Sequence, residues 1–308
     1  MHRVYFILGC TACGKGAVGR ELARRLGARI LSVDSMKVYR RMDIGTAKPS
    51  ADARAEIPHY AVDVVEPSGA YSVAQYVACA DQAVAEIRAA GAIPLAVGGT
   101  SLYIKALMDG LFEGPGADKV LRAELSARAA ADGTEALHAE LVQVDPAAAE
   151  RIHPNDEKRL IRALEVYRTT GGRISELQTQ WDSQIGRYDC VLIGLRREKS
   201  DQAGRINARV RQMIERGLPE EVQKLMSEPN PLSSQAASAV GYAELIDHFQ
   251  GRCRLDQAVE RIKINTRRLA KKQRTWHRRF PNVAWFDLAA DETPEAAVER
   301  VLSAVEFE

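Results

Sequence analysis

Seven residues near the start of the chain, Gly9-Cys10-Thr11-Ala12-Cys13-Gly14-Lys15, have the G-x-x-x-x-G-K spacing of a phosphate-binding loop. Glycines let successive main-chain N–H groups wrap phosphate oxygens. A helix starting at the loop adds its positive end, and the lysine adds a full charge. The next position departs from the pattern: Gly16 stands where a serine or threonine would offer Mg²⁺ an oxygen. Mg²⁺ would then rely on other residues, water and the phosphates themselves. The departure bears more on ATP hydrolysis than on diphosphate binding. Cys10 and Cys13 also spell C-x-x-C, the pattern of a redox pair or half a zinc site. No second C-x-x-C and no nearby histidine completes such a site. A helix N-terminus lowers a thiol pKa, so Cys13 is expected to be reactive.

A second group follows the segment Arg29–Val33: Asp34-Ser35-Met36-Lys37. If that segment is a strand parallel to the one before the loop, both end at the same sheet edge, and Asp34 faces Lys15. There it could ligate a metal or act as a general base. It could equally cap the turn that it opens. Thr100, after Gly98 and Gly99, poses the same question: a substrate contact, or the cap of a helix carrying Tyr103 and Leu107.

The elements that must position these residues are legible in part. Val4–Leu8, Arg29–Val33, Ile93–Val97, Cys190–Leu195 and Val283–Phe286 read as strands, short and apolar. Val18–Leu26 has helical spacing and stops at Gly27. Ser72 is placed to cap a helix running to about Ala90, which Gly91 ends. Alternating strands and helices predict an α/β fold with a parallel sheet. From about residue 114 to 186 the chain is Ala-, Glu- and Arg-rich, which predicts a helical insertion. Its helix carrying Leu160, Leu164 and Tyr167 is capped by Asn155 or Asp156, and Trp181 reads as packing. Residues 1–113 and 187–308 then form the catalytic core.

Composition bounds the function classes. The 308 residues are 46% hydrophobic and 27% charged, ordinary for a globular chain. Five cysteines argue against a disulfide framework. The N-terminal apolar run is too short for a signal peptide and no stretch is long enough to span a bilayer, so no membrane partner and a cytoplasmic location are expected. The net charge is only +2, yet nine lysines and arginines, and no acid, fall between Arg261 and Arg279. Without them the chain is acidic by seven. Such a segment reads as a phosphate-backbone footprint, with Trp276 and His277 available to stack on bases.

Taken together, these stretches resemble the tRNA dimethylallyltransferases, the isopentenyl transferases of bacterial tRNA modification. The matching segments are GCTACGKG at Gly9–Gly16, DSMKVYRRMDIGTAKP at Asp34–Pro49 and VGGTSLYIKAL at Val97–Leu107. DPAAAERIHPNDEKRLIRALEV at Asp145–Val166 and TRRLAKKQRTWHRR at Thr266–Arg279 complete the series, in family order across nearly the whole chain.

The resemblance implies a P-loop NTPase-like parallel sheet core flanked by helices, with a helical insertion that grips the anticodon stem-loop. It implies transfer of a dimethylallyl group from dimethylallyl diphosphate to N6 of the adenosine 3′ to the anticodon, in tRNAs reading UNN codons, with Mg²⁺ as cofactor. The loop, Gly9 through Gly16 with Lys15, and Arg209 would hold the diphosphate. Asp34 would take the N6 proton, Thr100 would contact the reacting centre, and Arg205 would grip the leaving group. Implied tRNA contacts are Asp34, Ser35, Met36, Lys37 and Thr100 around the flipped base, and Arg122, Lys158, Arg159, Leu160, Ile161 and Arg162 in the insertion. Gly241, Tyr242, Lys271, Lys272, Gln273, Arg274, Trp276 and Arg278 complete the set. A monomer is expected. Beside Gly16, the departures from the family pattern are Cys10 for proline, Cys13 for serine, Lys37 for glutamine and Ala243 for a basic residue. The rival activities are an ATP-dependent small-molecule kinase, an adenylate isopentenyltransferase and an inactive RNA-binding module.

Overall fold

The computed structural model describes residues 2–111, 114–178 and 186–308. It divides into two compact units, Met1–Met108 with Arg187–Glu308, and Asp109–Gly186. Trp181 lies outside the described residues.

The larger unit is built on a parallel sheet. Its strands are β1 (Arg3–Gly9), β2 (Arg29–Val33), β3 (His59–Tyr60), β4 (Pro94–Gly98), β5 (Asp189–Arg197) and β6 (Ala284–Leu288). Their order is β3-β2-β4-β1-β5-β6, and every pairing is parallel. Helices α1 (Lys15–Leu26), α2 (Ala51–Glu56), α3 (Val73–Ala89) and α4 (Ser101–Asp109) belong to the first half of this unit. The P-loop-like α/β class predicted from the sequence is the one observed.

The unbroken apolar run of β1 follows from burial on both faces. Side chains alternate along a strand. Tyr5 and Ile7 pack with Val18 and Leu22 of α1, while Val4, Phe6 and Leu8 pack with Tyr76 of α3 and Ile104 of α4. Ser72 does cap α3: its hydroxyl accepts from Gln75 N–H while the Gln75 side chain accepts from Ser72 N–H. Gly91, with φ 68°, closes that helix. β3 was not anticipated; two residues carry too little pattern to be read as a strand.

Unit Asp109–Gly186 holds α5 (Lys119–Asp132), α6 (Thr134–Val144), α7 (Pro146–Arg151), α8 (Glu157–Thr170) and α9 (Ile174–Leu177). Leu125, Leu137, Leu141, Leu160 and Leu164 form its core. Asp156 caps α8, accepting from Arg159 N–H. Glu165 is fully buried, yet it takes a bidentate pair from Arg122 at 2.7 and 2.8 Å, a third bond from Arg162 at 2.6 Å, and the Asp118 N–H at 2.8 Å. Burial alone would raise its pKa; these donors more than reverse that and lower it to about 2. A depressed carboxylate stabilises the fold above its unfolded pKa, and that share is lost as pH falls toward about 2. Glu165→Gln is expected to destabilise this unit by about 2 kcal/mol near neutral pH, with a much smaller difference from wild type at pH 2. Chemical denaturation of both proteins at the two pH values checks it; equal stability at neutral pH would show the cluster to be idle.

The remaining helices of the larger unit are α10 (Lys199–Glu215), α11 (Leu218–Met226), α12 (Ser234–Ala237), α13 (Tyr242–Phe249), α14 (Leu255–His277) and α15 (Pro294–Ala304). Among the described residues, no helix is long and apolar enough to cross a membrane.

Candidate active site

Parallel strands bring their C-terminal ends to one edge, where ligands gather in open α/β sheets. The loop after β1, Asp34 after β2, and Gly98-Gly99-Thr100 after β4 all emerge there. Strand spacing at this edge is tight. A Cβ on Gly98 would lie 2.0 Å from the Val33 carbonyl oxygen, so only glycine fits. That oxygen accepts the N–H groups of both Gly99 and Thr100 at 3.2 Å.

The loop is held from outside by its carbonyls. Gln202 Nε2 donates to Thr11 O at 2.8 Å, Arg205 Nε to Ala12 O at 3.3 Å, and Arg197 Nε to Cys13 O at 2.9 Å. Lys15 Nζ folds back onto Cys10 O at 3.2 Å. Ala12 and Gly14 both take positive φ, 62° and 105°, which turns successive peptide units as an anion cradle needs. The first helical hydrogen bonds run from Ala17 and Val18 to Gly14 O, so the N–H groups of Lys15 and Gly16 remain as the free donors of a helix start. Thr11 N–H is differently placed: it donates to Gln273 Oε1 at 2.7 Å, while Gln273 Nε2 donates to Gly99 O at 2.9 Å.

A cleft of about 970 Å³ opens over this loop. Thr11, Ala12, Gly14, Lys15 and Gly16 line it from the loop, and Asp34, Ser35, Met36, Lys37 and Thr100 from the strand ends. Arg205 and Arg209 of α10, Gly241, Tyr242, Lys272, Gln273 and Trp276 complete it. Both readings of Asp34 have a counterpart here. Its Oδ1 caps the turn, accepting from Met36 N–H at 2.9 Å and Lys37 N–H at 3.3 Å, and the residue still faces the cleft. Thr100 Oγ1 accepts from Ser35 N–H at 3.0 Å, tying the ends of β2 and β4 together.

The cleft is strongly cationic. Burial, reinforced by Lys15, Arg209 and Arg20 and partly offset by Asp34, lowers the Lys37 ammonium pKa to about 8. Burial likewise lowers Arg209. The donor set suits Mg²⁺ poorly. Asp34 is the one carboxylate among the lining residues, no group of three His, Cys, Asp or Glu could hold a metal among the described residues, and Gly16 supplies no oxygen.

The remaining expected residues are held in different ways. Gly9, Cys10 and Cys13 support the loop from below; Cys10 and Cys13 are buried, unpaired thiols, and burial raises the Cys10 thiol pKa. A reactive Cys13 thiol therefore needs the loop to open. Tyr242 is buried, its hydroxyl donating to Glu221 Oε1 at 2.6 Å. Lys271 and Arg278 are exposed on the basic segment, and Arg274 donates to Gln202 Oε1. His277, expected to stack on a base, is buried instead. Burial, followed by Lys15, lowers its pKa to about 4, partly offset by the Gly99 main chain. Trp276 keeps its place in the cleft, with Arg279 over its ring at 5.4 Å.

In the helical unit, Lys158 and Arg159 are exposed, whereas Arg122 and Arg162 are tied to Glu165. Leu160 and Ile161, expected among the RNA contacts, are core residues. In a run where basic residues and leucines alternate, helical periodicity puts them on opposite faces. Sequence reasoning missed Arg20, Gln202 and Gln273's double role. Arg20 was signalled by its i+4 spacing from Gly16; the others had no signal beyond polarity.

Comparison with known proteins places this geometry. Residues 37–280 match the family model described as IPP transferase. The chain is 44% identical to a tRNA dimethylallyltransferase of Geobacter sulfurreducens, over 94% of this chain and 93% of that one. It is likewise 44% identical to the protein of the same description from Geobacillus thermodenitrificans, over 97% and 95%. Among solved structures it is similar to the full-length tRNA isopentenylpyrophosphate transferase of Bacillus halodurans, at 39% identity and TM-score 0.72, covering 97% and 94% of the two chains. A eukaryotic dimethylallyltransferase acting on tRNA matches with TM-score 0.80 at 26% identity, over 93% of this chain and 74% of that one.

Proposed function

The chain belongs to the IPP transferase family, and on that footing we propose that it moves a dimethylallyl group from dimethylallyl diphosphate to N6 of the adenosine 3′-adjacent to the anticodon of tRNAs, those reading UNN codons. The carrying observation is a single cleft lined by the Lys15 loop, the Asp34 carboxylate and Lys272, Gln273 and Trp276 of the basic segment.

The diphosphate sits against Lys15 and the main chain from Ala12 to Gly16, with Arg205 and Arg209 on its far side. Adenine N6 is a weak nucleophile and is out of reach while stacked, so the base is flipped into the cleft. N6 attacks the allylic carbon, the carbon–oxygen bond breaks, and the diphosphate leaves with the electron pair. Asp34, fixed through Oδ1 by the turn, takes the N6 proton on its other oxygen. Lys15 and Arg205 stabilise the charge that develops on departure. Lys271, Lys272 and Arg278 hold the RNA backbone, with Lys158 and Arg159 serving the anticodon stem-loop. All of these residues come from one chain, in keeping with a monomer that acts in the cytoplasm, where tRNA is found.

The test is transfer of labelled dimethylallyl diphosphate in the presence of unmodified tRNA, AMP and ATP. Label is expected on tRNA. Label confined to AMP would favour an adenylate isopentenyltransferase, and ATP turnover without label transfer a kinase; either result overturns the reading.

A further inference from the structure

We propose that this chain binds its diphosphate with side-chain cations in place of a loop-bound Mg²⁺, Arg20 and Lys37 occupying the ground that a loop hydroxyl and its metal would hold. The inference rests on the diphosphate-site reading above and concerns what neutralises the anion.

Four observations carry it. Gly16 has no side-chain oxygen. Arg20 stands beside that position: a Cβ built on Gly16 would be in van der Waals contact with Arg20 Nη1, at 3.8 Å. Residues four apart on a helix share a face, so Arg20 rises beside the loop and lines the cleft. Among the described residues, no carboxylate lies within ion-pair distance of Arg20. Lys37, from the β2 end, lines the same cleft as Lys15 and Arg20 of α1, Asp34 on its own segment, Arg209 of α10 and, on β3, His59, and feels the charge of each. That is an excess of like charge along one cleft. A polyanion relieves the repulsion; a divalent cation entering beside Gly16 would add to it. The oxygens a metal would want are few, since Asp34 is the one lining carboxylate and its Oδ1 already holds two N–H groups.

Calorimetric titration of the full chain with inorganic pyrophosphate, with Mg²⁺ and with a chelator, tests this. Chelation is expected to change the wild-type Kd by less than about fivefold, while Arg20→Gln and Lys37→Gln each weaken chelator-condition binding about tenfold. The pair Gly16→Ser with Arg20→Ala is expected to make binding Mg²⁺-dependent. Circular dichroism checks that each variant is folded. Should one not fold, the wild type still reports on Lys37. A bound polyanion favours the charged ammonium, so affinity holds below about pH 8 and falls as pH rises through the free-protein value of about 8. Wild-type binding lost more than fivefold on chelation, variants that bind like wild type, or a flat pH profile from 8 to 10 would overturn the inference. No pyrophosphate binding under any condition would instead overturn the diphosphate site itself.

Discussion

Asp34→Asn is expected to slow dimethylallyl transfer about a thousandfold while leaving tRNA affinity within about twofold. The asparagine is chosen for its geometry. Its amide oxygen can still accept from Met36 and Lys37 N–H, as Asp34 Oδ1 does at 2.9 and 3.3 Å. The turn, and with it Ser35 and its N–H bond to Thr100 Oγ1, should therefore survive. What is lost is the basic oxygen that, on the proposed mechanism, receives the N6 proton. Asp34→Ala removes both, so any difference between the two variants measures the turn and not the chemistry. Single-turnover transfer under saturating tRNA, with filter binding for affinity, reads both quantities. A transfer rate within tenfold of wild type for the asparagine variant would assign Asp34 to the turn alone and send the search for a base elsewhere.

Much of this site was legible because short-range patterns dictate it. Gly9 to Lys15 specifies a turn, a cradle and a helix start within one segment, and β1 declares its burial by five apolar residues in a row. Asp34 and Thr100 could be placed at one edge because parallel strands allow little else. Two kinds of information stayed hidden. One is the face of a helix when polar and apolar residues interleave: Leu160 and Ile161 lie between basic neighbours and turn inward, and His277 sits within a basic run yet is buried. The other is long-range pairing. Nothing near Arg122 or Glu165 announces that 43 residues apart they share two hydrogen bonds. Arg20 is of the first kind, a basic residue on an amphipathic helix whose meaning depends on the missing side chain one turn back, at Gly16.

Gln273 ties the basic segment of α14 to the phosphate loop, so on the proposed function it would couple RNA to diphosphate. It lies on α14, amid the lysines and arginines of the basic segment, yet its own side chain points at the loop. It accepts from Thr11 N–H at 2.7 Å and donates to Gly99 O at 2.9 Å, and a Cβ on Gly99 would come within 2.6 Å of its Nε2. Arg274 reaches the same loop residue by another route, through Gln202 to Thr11 O. Gln273→Glu keeps the size, deletes the donor to Gly99 and sets a carboxylate beside the anion site. It is expected to weaken diphosphate binding about a hundredfold, and Gln273→Ala about tenfold, since alanine loses two hydrogen bonds without adding charge. Affinity for tRNA alone should stay within about threefold, because neither change touches the exposed Lys271, Lys272 or Arg278. If the segment that holds RNA also shapes the loop, the two ligands are coupled. Each must then strengthen the other by the same factor, as linkage requires. The coupling should disappear in Gln273→Ala. Diphosphate titrations with and without tRNA decide this: a coupling factor that persists unchanged in the alanine variant would show that RNA and diphosphate occupy the cleft independently.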